Sequence, residues 1–547
     1  MNGVPRAHLQ LVLRQDGVYA AGPQNTNGAR LDYETGAVLG EFPARRACTR
    51  ATGGVDSIFF RASGGTVRLM TGTNTAQHVA PMRPPCQDGV LISNGQFYWG
   101  PWMCGCQLSL YGNIACAPAD EAPLEDAATL YRTALTTHGD RGQVASLGAD
   151  PDDWLRYRGD DQRSDSTRRP LPGTAEMKWK TVTAKNDLPT APVAAGGLVF
   201  VGDRTGRLRA WNADTGELVW QTLLSTAIWY PPAISQDRLF LGAADGKVHA
   251  FEAKTGRPLW SFRTGPRERL IPVFGRLVSS WPVAGGVAVA GDTVYAAAGI
   301  THYDGTFVVA LDAATGRLKA ANTSSGTLSS EVDNGISLQG NLSLQNGELQ
   351  FLGGGVYETA RYDLETLACR NEPVVQITSS YRTAFYPYYP EYGKYLSLSQ
   401  SCSDGCVLTH DANYEGLYFN NLALEEPRKG AAPTPVKDAA GEFIRQQQNR
   451  RNAPAEKVPP RWQDRQDRRF TSFLFSKAND RLLAAGHPDG KPEEAFLVIL
   501  DAKDGHDLWL EKLPVPAVTG GTAMDHAGRI FVTLENGELR CYRGISP

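Results

Sequence analysis

The sequence lacks a long apolar run and lacks an excess of charge of either sign. No stretch approaches the roughly 18 consecutive apolar residues that a membrane-spanning helix needs. The first residues have no apolar core of signal-peptide length. The 55 basic and 58 acidic residues leave a net charge of -3, which gives no electrostatic reason to expect nucleic acid or an anionic lipid surface as partner. A transmembrane segment and a nucleic-acid partner are therefore not expected.

Cysteine is scarce, because nine in 547 residues are too few for a disulfide-rich scaffold. Four early cysteines could converge as thiolate ligands of zinc or iron, since consecutive sheets bring equivalent positions to one face. Disulfides and unlinked buried thiols are the alternatives for the same four residues. Cys402 and Cys406 flank a hairpin-like turn where a disulfide is sterically reasonable. The four early residues are Cys48, Cys86, Cys104 and Cys106.

Recognisable catalytic motifs are also missing. The sequence contains no G-x-S-x-G, no H-E-x-x-H and no G-x-x-x-x-G-K-[ST], and its nine histidines are scattered. What it has in abundance is 57 glycines and 34 prolines, interleaved with short runs of Val, Leu, Phe and Tyr. This composition is typical of many short strands joined by tight turns. The sequence therefore predicts an all-β fold.

A repeat organises most of the chain. Residues 198–220 are followed by the similar residues 239–260, so that Gly216 to Gly256 and Trp220 to Trp260 are both intervals of 40 residues. Each unit has the pattern strand, glycine turn, strand, Asp/Asn/Glu-x-x-Thr-Gly turn, strand. The acidic or amide side chain accepts backbone hydrogen bonds in the turn, and glycine supplies a positive φ.

The tryptophan after each such turn is expected to pack between neighbouring sheets. A unit of this size cannot bury both of its faces alone, so the units are expected to stack around an axis as a β-propeller. An antiparallel sandwich is the alternative, and a fixed repeat period is hard to reconcile with it.

The A-[DK]-T-G-x-x-x-W pattern of residues 213–220 and 253–260 resembles the repeat of PQQ enzymes. Quinoprotein alcohol dehydrogenases and BamB-type outer-membrane assembly lipoproteins share that repeat, usually as an eight-bladed propeller. The resemblance covers nearly all of residues 175–542 and, less sharply, 10–116. Residues 80–90, 99–112 and 153–164 also resemble large bacterial PQQ-like repeat proteins, notably those of planctomycetes.

The repeat positions predict three regions. Residues 1–117 are expected to form about three blades of a preceding propeller whose beginning is absent, although a single merged ring is possible. Residues 118–175 are expected to be a helix, with helical spacing over 124–138, and a linker. Residues 176–547 are expected to form a propeller of seven to eight blades, closed by pairing of 177–182 with the C-terminal unit and interrupted by a surface insertion at 425–467.

The resemblance leaves two functions open. PQQ dehydrogenases need calcium held by carboxylate and amide oxygens, an Asp base, and often adjacent cysteines. No two cysteines are adjacent here, and the Asp and Asn residues stand in turns, where bonding to backbone explains them. We therefore expect a non-catalytic scaffold without a cofactor, periplasmic or envelope-associated by resemblance, that binds a protein or a cell-envelope ligand. The alternative is a dehydrogenase of alcohols or sugars that holds PQQ with calcium.

Three segments predict a binding site. Residues 265–283, 301–305 and 381–395 carry Arg, Tyr and Trp, the composition of binding hot spots. Loops between blades deliver residues to one end of a propeller, so these side chains are expected to share one funnel. The alternative is that the arginines pair with blade carboxylates and the tyrosines pack the rim. The predicted site residues are Arg267, Arg269, Trp281, His302, Asp304 and Arg382.

Overall fold

The computed structural model describes residues 10–21, 27–42, 45, 49–62, 65–80, 88–100, 114–117, 126–139, 142–183, 187–273, 275–300, 305–326, 335–338, 340–353, 359–371, 399–412, 419–425, 460–464 and 467–545. These residues form antiparallel sheets almost throughout. Helical structure within the described ranges is confined to α1 (Ala127–Tyr131) and one 3₁₀ turn, Pro492–Glu494. The all-β prediction is confirmed.

Three small sheets form the N-terminal region, each with its strands side by side in sequence order. Tyr19 and Phe42 of the first sheet pack with Phe60 of the second, and Phe59 of the second packs with Trp99 of the third. The strands are β1 (Gln10–Arg14), β2 (Gly17–Ala21), β3 (Gly28–Leu31) and β4 (Val38–Phe42); β5 (Thr52–Gly53), β6 (Ser57–Ala62), β7 (Gly65–Met70) and β8 (Thr75–Ala80); β9 (Leu91–Ser93), β10 (Gln96–Trp99) and β11 (Ile114–Cys116).

Most of the strands between residues 175 and 544 form seven further groups, which we name sheets I to VII. Sheets V and VI belong to one sheet of nine strands, in which Phe419 pairs with Phe470 and β13 (Ser166–Thr167) pairs with the first strand of VI. The strands are β15 (Val193–Ala195), β16 (Leu198–Gly202), β17 (Arg207–Asn212) and β18 (Leu218–Leu223) in I; β19 (Ala233–Ser235), β20 (Arg238–Gly242), β21 (Lys247–Glu252) and β22 (Pro258–Arg263) in II; β25 (Val287–Ala290), β26 (Thr293–Ala298), β27 (Phe307–Asp312) and β28 (Leu318–Asn322) in III; β29 (Ser343–Gln345), β30 (Glu348–Leu352) and β31 (Thr359–Asp363) in IV; β32 (Ser399–Ser401), β33 (Val407–Ala412), β34 (Phe419–Glu425) and β35 (Trp462–Gln463) in V; β36 (Arg468–Ser476), β37 (Arg481–Pro488), β38 (Phe496–Asp501) and β39 (Asp507–Lys512) in VI; β40 (Ala517–Met524), β41 (Arg529–Leu534), β42 (Glu538–Gly544) and β14 (Ala175–Val182) in VII.

Sheet VII closes the ring, because it contains strands from both ends of this region. β14 pairs antiparallel with β42, from Ala175 opposite Gly544 to Val182 opposite Glu538. The predicted closure by residues 177–182 is thus confirmed. Closure of this kind covers sheet edges that an open array would expose. The fold is a β-propeller, and the predicted number of blades stays a prediction.

Apolar clusters hold successive sheets together. Val201 of sheet I shares one cluster with Val532 of sheet VII, and Phe240 of sheet II shares another with Val309 of sheet III. Further clusters join I with II, III with IV, and V with VI. Burial of apolar surface contributes about 25 cal/mol per Å², so these interfaces are the main source of the ring's stability.

The predicted helix over 124–138 is wrong in its second half. Asp126 caps α1 by accepting a hydrogen bond from the backbone N–H of Thr129 at 3.0 Å, and the helix ends at Tyr131. The following residues form β12 (Leu135–Thr137), which pairs with β22 as a fifth strand of sheet II. The β-branched threonines of β12 favour a strand, and the outer edge of β22 supplies the pairing partner that the sequence alone could not show.

Candidate functional site

The turns between the third and fourth strands share one geometry. In four of them the N–H of glycine donates to the carbonyl four residues earlier, at 2.8 to 2.9 Å. In sheet I the Asn212 side chain also accepts from the N–H groups of Asp214 and Thr215, at 2.9 and 3.0 Å. The predicted turn chemistry is confirmed. The four glycines are Gly216, Gly256, Gly316 and Gly505.

A tryptophan from the preceding sheet lies on each of these four glycines. Its indole Nε1–H donates to the alanine carbonyl in the same turn: Trp179 to Ala213 (3.1 Å), Trp220 to Ala253 (3.1 Å), Trp260 to Ala313 (3.2 Å) and Trp462 to Ala502 (2.9 Å). A Cβ atom added to any of the four glycines would come within 2.5 to 2.6 Å of the indole ring. Glycine is therefore required both by the ring and by its positive φ. The predicted packing of tryptophan between sheets is confirmed.

A segment of the chain that precedes the ring lies at one of its ends. Residues 146–171, which we name the axial segment, contact the first strand of each of sheets I to VII or the turn that follows that strand. The backbone N–H groups of Ala194, Ile234, Leu344 and Phe475 donate to carbonyls of the axial segment at 2.7 to 3.0 Å. Sheets III, V and VII are contacted through Val287, Gln400 and His526.

Charged side chains fasten the axial segment. Arg158 and Asp165 form a buried ion pair, with Arg158 Nε donating to the carboxylate at 2.7 Å. The guanidinium of Arg163 donates to the carbonyls of Leu342 (2.8 Å), Val287 (3.0 Å) and Tyr157 (3.0 Å). Burial lowers the pKa of Arg163 to about 10, so the group is still charged at neutral pH. These residues lie in the region predicted to be a linker.

A signal for this role was present in the sequence. Arginine and aspartate recur within ten residues, at Arg156, Arg158, Asp161, Arg163 and Asp165. Charged residues of this density are buried only when paired, and here Arg156 also meets Asp161 at 2.8 Å. Which strands they would contact depended on the closed ring and was not readable from the chain.

The opposite end of the ring carries a hairpin between sheets II and III. Its strands are β23 (Leu270–Val273) and β24 (Arg276–Ser279). Val273 and Val278 pack on Trp229, in the loop between sheets I and II. Arg276 donates to the carboxylate of Asp187 at 2.8 Å and to the carbonyl of Arg204. These contacts hold the hairpin over sheets I and II.

The outer side of the hairpin is apolar and exposed. Leu270 and Leu277 are 51% and 57% exposed, and Pro272 lies opposite Leu277 in the hairpin register. Arg267 and Arg269, also exposed, precede the first strand. We name these five residues the hairpin face. Exposed apolar side chains flanked by arginine are typical of surfaces that bind another protein.

The predicted site residues have different surroundings. Arg267 and Arg269 belong to the hairpin face. Trp281 is only 7% exposed and lies in the core between sheets II and III, where its ring meets that of Phe307 at 6.2 Å and 88°. His302, Asp304 and Arg382 lie outside the described residues. The clustering of all six in one funnel stays a prediction. The hairpin face adds Leu270, Pro272 and Leu277, which were not among the predicted site residues.

The predicted cysteine cluster cannot be placed, because Cys48, Cys86, Cys104 and Cys106 lie outside the described residues. Cys402 and Cys406 do flank a hairpin turn, in which the N–H of Cys402 donates to the carbonyl of Cys406 at 2.8 Å. The thiol of Cys402 forms no disulfide, and burial raises the pKa of Cys402 to about 12. A thiol with so high a pKa is a poor nucleophile.

Within the described ranges, no three His, Cys, Asp or Glu side chains lie together so that they could hold a metal ion. In the same part of the chain, no helix is long and apolar enough to cross a membrane.

Ring closure and the recurrent contact of glycine turn with tryptophan define a β-propeller built from PQQ-like repeats. Residues 172–371 match the family model described as outer membrane protein assembly factor BamB. The outer membrane protein assembly factor BamB of Legionella pneumophila (strain Paris) is 34% identical over 67 residues, which are 12% of this chain and 17% of that protein. The chain thus spans about a sixth of the curated relative's length. The match supports a PQQ-like repeat protein, and the resemblance to planctomycete proteins stays a prediction.

Solved structures of alcohol dehydrogenases are also similar. The quinohemoprotein alcohol dehydrogenase of Comamonas testosteroni has a TM-score of 0.48 and 12% identity, over 74% of this chain and 82% of that one. A europium-containing methanol dehydrogenase has a TM-score of 0.46 and 11% identity, over 71% and 90%. The alcohol dehydrogenase ADHIIG of Pseudomonas putida HK5 has a TM-score of 0.44 and 12% identity, over 73% and 81%.

Proposed function

We propose that this protein is a non-catalytic PQQ-like propeller in the cell envelope that binds a partner protein through the hairpin face. The observation that carries the proposal is an exposed apolar surface, Leu270, Pro272 and Leu277, on a hairpin that the rest of the ring holds in place. Complete burial of one leucine side chain contributes about 1.5–3 kcal/mol. Burial of both leucines by a partner would therefore contribute several kcal/mol to the free energy of binding.

The fixed position of the hairpin favours binding further. Its inner valines are packed on Trp229, and Arg276 anchors it to Asp187 at 2.8 Å. A surface that is ordered before the partner arrives loses little conformational entropy on binding. The arginines beside the leucines suit a partner with acidic groups near its apolar contact, because complementary charge speeds association and fixes orientation.

The position of the axial segment also supports partner binding at the end of the propeller that carries the hairpin. The axial segment occupies the end where the turns between first and second strands lie, and its carbonyls accept hydrogen bonds from sheets I, II, IV and VI. A ligand that enters the axis from outside would therefore approach from the hairpin end. The name of the matching family, an assembly factor of the outer membrane, supports a protein partner in the envelope.

Site-specific photo-crosslinking tests the proposal. A photoreactive amino acid at position 277 should link the chain to one envelope protein in cells, whereas the same amino acid at Leu510, which is 51% exposed on the rim, should not. The double variant Arg267→Glu/Arg269→Glu should lower the yield at position 277 about tenfold, because two favourable charge contacts become repulsive. Equal crosslinking from positions 277 and 510 would contradict a role for the hairpin face.

An activity assay tests the non-catalytic part of the proposal. The protein is incubated with PQQ and calcium and then assayed for reduction of an electron-accepting dye over a panel of alcohols and sugars. We expect no turnover above that of PQQ and calcium without protein. Robust turnover would overturn the scaffold proposal in favour of a quinoprotein dehydrogenase.

A further inference from the structure

The outer strands of the ring differ in how their free edges are protected. β14 carries the exposed lysines Lys178 and Lys180, β28 carries Lys319, and β39 carries Lys512. Lysine on an edge strand is a common device against pairing with another chain, because its charge would have to be desolvated. In these three strands, pairing with a further strand is disfavoured by sequence.

Other outer strands of the ring lack lysine, and one of these, β22, is covered. β22 (PLWSFR) is paired along Trp260, Ser261 and Phe262 with β12, and Leu259, Trp260 and Phe262 are at most 1% exposed. Tyr131 of α1 adds a ring contact to Phe262 at 5.4 Å. An apolar outer strand without lysine is thus seen in its covered form within this same ring.

Another outer strand without lysine, β18 (LVWQTL), has no charged residue of any kind. Leu218 and Val219 are each 50% exposed and Leu223 is 69% exposed. Among the described residues, the outer edge of β18 has no pairing strand. The same strand position is therefore apolar and covered in sheet II but apolar and open in sheet I.

We propose that two copies of this chain pair through β18, antiparallel about a two-fold axis, so that the two sheets I form one continuous eight-stranded sheet. A two-fold axis between antiparallel strands lies perpendicular to the sheet and preserves its faces. The register that centres on Gln221 places Trp220 opposite Thr222 and Val219 opposite Leu223. This pairing uses the stretch of β18 that corresponds to the stretch of β22 covered by β12.

The strand is chemically complementary to its own copy in this register. The exposed Val219 and Leu223 meet each other twice, and no charged residue of β18 faces another. Gln221 meets the Gln221 of the second copy, and side-chain amides across strands can hydrogen-bond. Arg209, the neighbour of Gln221 in β17, is neutralised by Asp203 at 3.1 Å, so the two copies do not bring unpaired cations together. Isologous two-fold pairing is the commonest form of homo-oligomer.

The mass in solution tests the pairing. Light scattering after size exclusion should give about twice the 59.3 kDa mass of one chain at micromolar concentration. Gln221→Lys puts two like charges directly opposite each other and should weaken self-association about tenfold or more. Leu510→Lys adds the same charge to β39, another outer strand, and should leave the mass unchanged. A monomeric wild type at high micromolar concentration, or a dimer that persists in Gln221→Lys, would overturn the proposal.

A covalent test fixes the register. Cβ atoms of directly opposed residues in an antiparallel pair are about 4.5–5.5 Å apart, close to the range a disulfide requires. Gln221→Cys should therefore give a disulfide-linked dimer under mild oxidation, whereas Lys180→Cys on β14 should give no more than the wild type. Hydrogen exchange should show protection of residues 218–223 that is lost on dilution. Protection that persists in a monomer would mean that the chain covers its own edge, and it would overturn the pairing of two copies.

Discussion

The junction between sheets I and II and the junction between sheets III and IV solve the same packing problem with opposite residue sizes. At the first junction, Trp220 covers Gly256 of the next turn. At the second, the position four residues after the turn glycine is Ala320, and the equivalent of Gly256 is Leu367. Ala320 and Leu367 pack in the same cluster. The large side chain has moved from the strand to the turn.

The hydrogen bond to the turn carbonyl also has a different donor at the III/IV junction than at the I/II junction. The carbonyl of Leu364 occupies the turn position of Ala253, and it accepts from the hydroxyl of Tyr295 at 3.0 Å instead of from an indole. Tyr295 stands where sheets I and II have Phe200 and Phe240, whose rings lie 6.0 and 5.9 Å from the junction tryptophans. The turn carbonyl is therefore hydrogen-bonded at both junctions, although the donor lies on a different strand. What the two junctions share is one large residue packed against one small residue, together with a hydrogen bond to the turn carbonyl; tryptophan itself is not required.

The largest loss in the free energy of unfolding is expected from Trp260→Ala. Trp260 is completely buried between sheets II and III, so the substitution leaves a large cavity and an unpaired Ala313 carbonyl, and it should cost about 3–5 kcal/mol. Trp509→Ala is the matched control, because Trp509 also follows a turn glycine by four residues but is partly exposed and contacts Tyr542. Urea unfolding followed by circular dichroism gives both values. Equal losses would contradict a special role for the tryptophan-on-glycine contact.

A size swap at the III/IV junction should have the next largest effect. Ala320→Trp alone should cost about 1–3 kcal/mol, because the indole has no room beside Leu367. Leu367→Gly alone should cost about 2–4 kcal/mol as a cavity forms, partly offset by relief at a positive φ of 54°.

The double variant should lose clearly less than the sum of the two single losses, since it restores the arrangement of the other junctions. A double-mutant cycle measures this coupling, which we expect to exceed about 1 kcal/mol. Strict additivity would mean that the two positions do not form a pair.

Tyr295→Phe removes only the hydroxyl at the III/IV junction. The Leu364 carbonyl loses its donor, and the expected cost is about 0.5–1.5 kcal/mol. Tyr98→Phe is a control at a less buried hydroxyl, which donates to Gln96 at 3.0 Å, and it should cost less. In the background of Ala320→Trp/Leu367→Gly, Tyr295→Phe should have a smaller effect, because the indole supplies a second donor. Thermal unfolding of the wild type, Tyr295→Phe, the double variant and the triple variant measures this difference, and Tyr98→Phe is measured beside them.

The smallest change in stability is expected at the contact between His526 and Asp153 of the axial segment, which is not a junction between sheets. His526 Nδ1 lies 2.6 Å from Asp153 Oδ1, and this hydrogen bond, opposed by partial burial, raises the pKa of His526. Asp525 and Asp150 also favour its charged form. Burial tends to raise the pKa of Asp153, but the N–H groups of Gly196, Asp150 and His526 lower it overall.

A histidine with a raised pKa stabilises the fold fully below its unfolded value of about 6.5, and the contribution is lost as pH rises through the folded value. His526→Gln should therefore lower the unfolding temperature at pH 6 and have little effect at pH 8.5. His506→Gln is the control, because its partner Asp504 is two residues away in the same turn and can persist in the unfolded chain. A loss in His526→Gln that is the same at both pH values would contradict the ion pair.

Several features could be predicted from single residues and their spacing. The 40-residue interval from Gly216 to Gly256, with Trp220 and Trp260 in step, was sufficient for the turns, the packing of tryptophan and the propeller. Trp462 was missed, because it falls inside the predicted insertion at 425–467 and lacks the preceding turn motif. Trp509 has the motif but covers no glycine, because the third and fourth strands of sheet VII are joined by ring closure and not by a turn. Of the candidate site, Arg267 and Arg269 could be found by composition, whereas the exposure of Leu270 and Leu277 could not.

The sequence by itself determined much of the local structure: the strands of the clear repeat units, the glycines of their turns that need a positive φ, and the packing of Trp220 and Trp260 between neighbouring sheets. These are short-range requirements of backbone geometry and side-chain volume, and each is visible in one unit or two. Only the tertiary structure decided which contacts span the ring. Residues 135–137, which were predicted to be helical, form β12 and pair with β22. Arg163 donates to the carbonyls of Val287 and Leu342, and Arg276 of the hairpin donates to Asp187. These contacts join residues between 89 and 179 positions apart in the chain, and only the packing of the folded sheets brings them within hydrogen-bond distance.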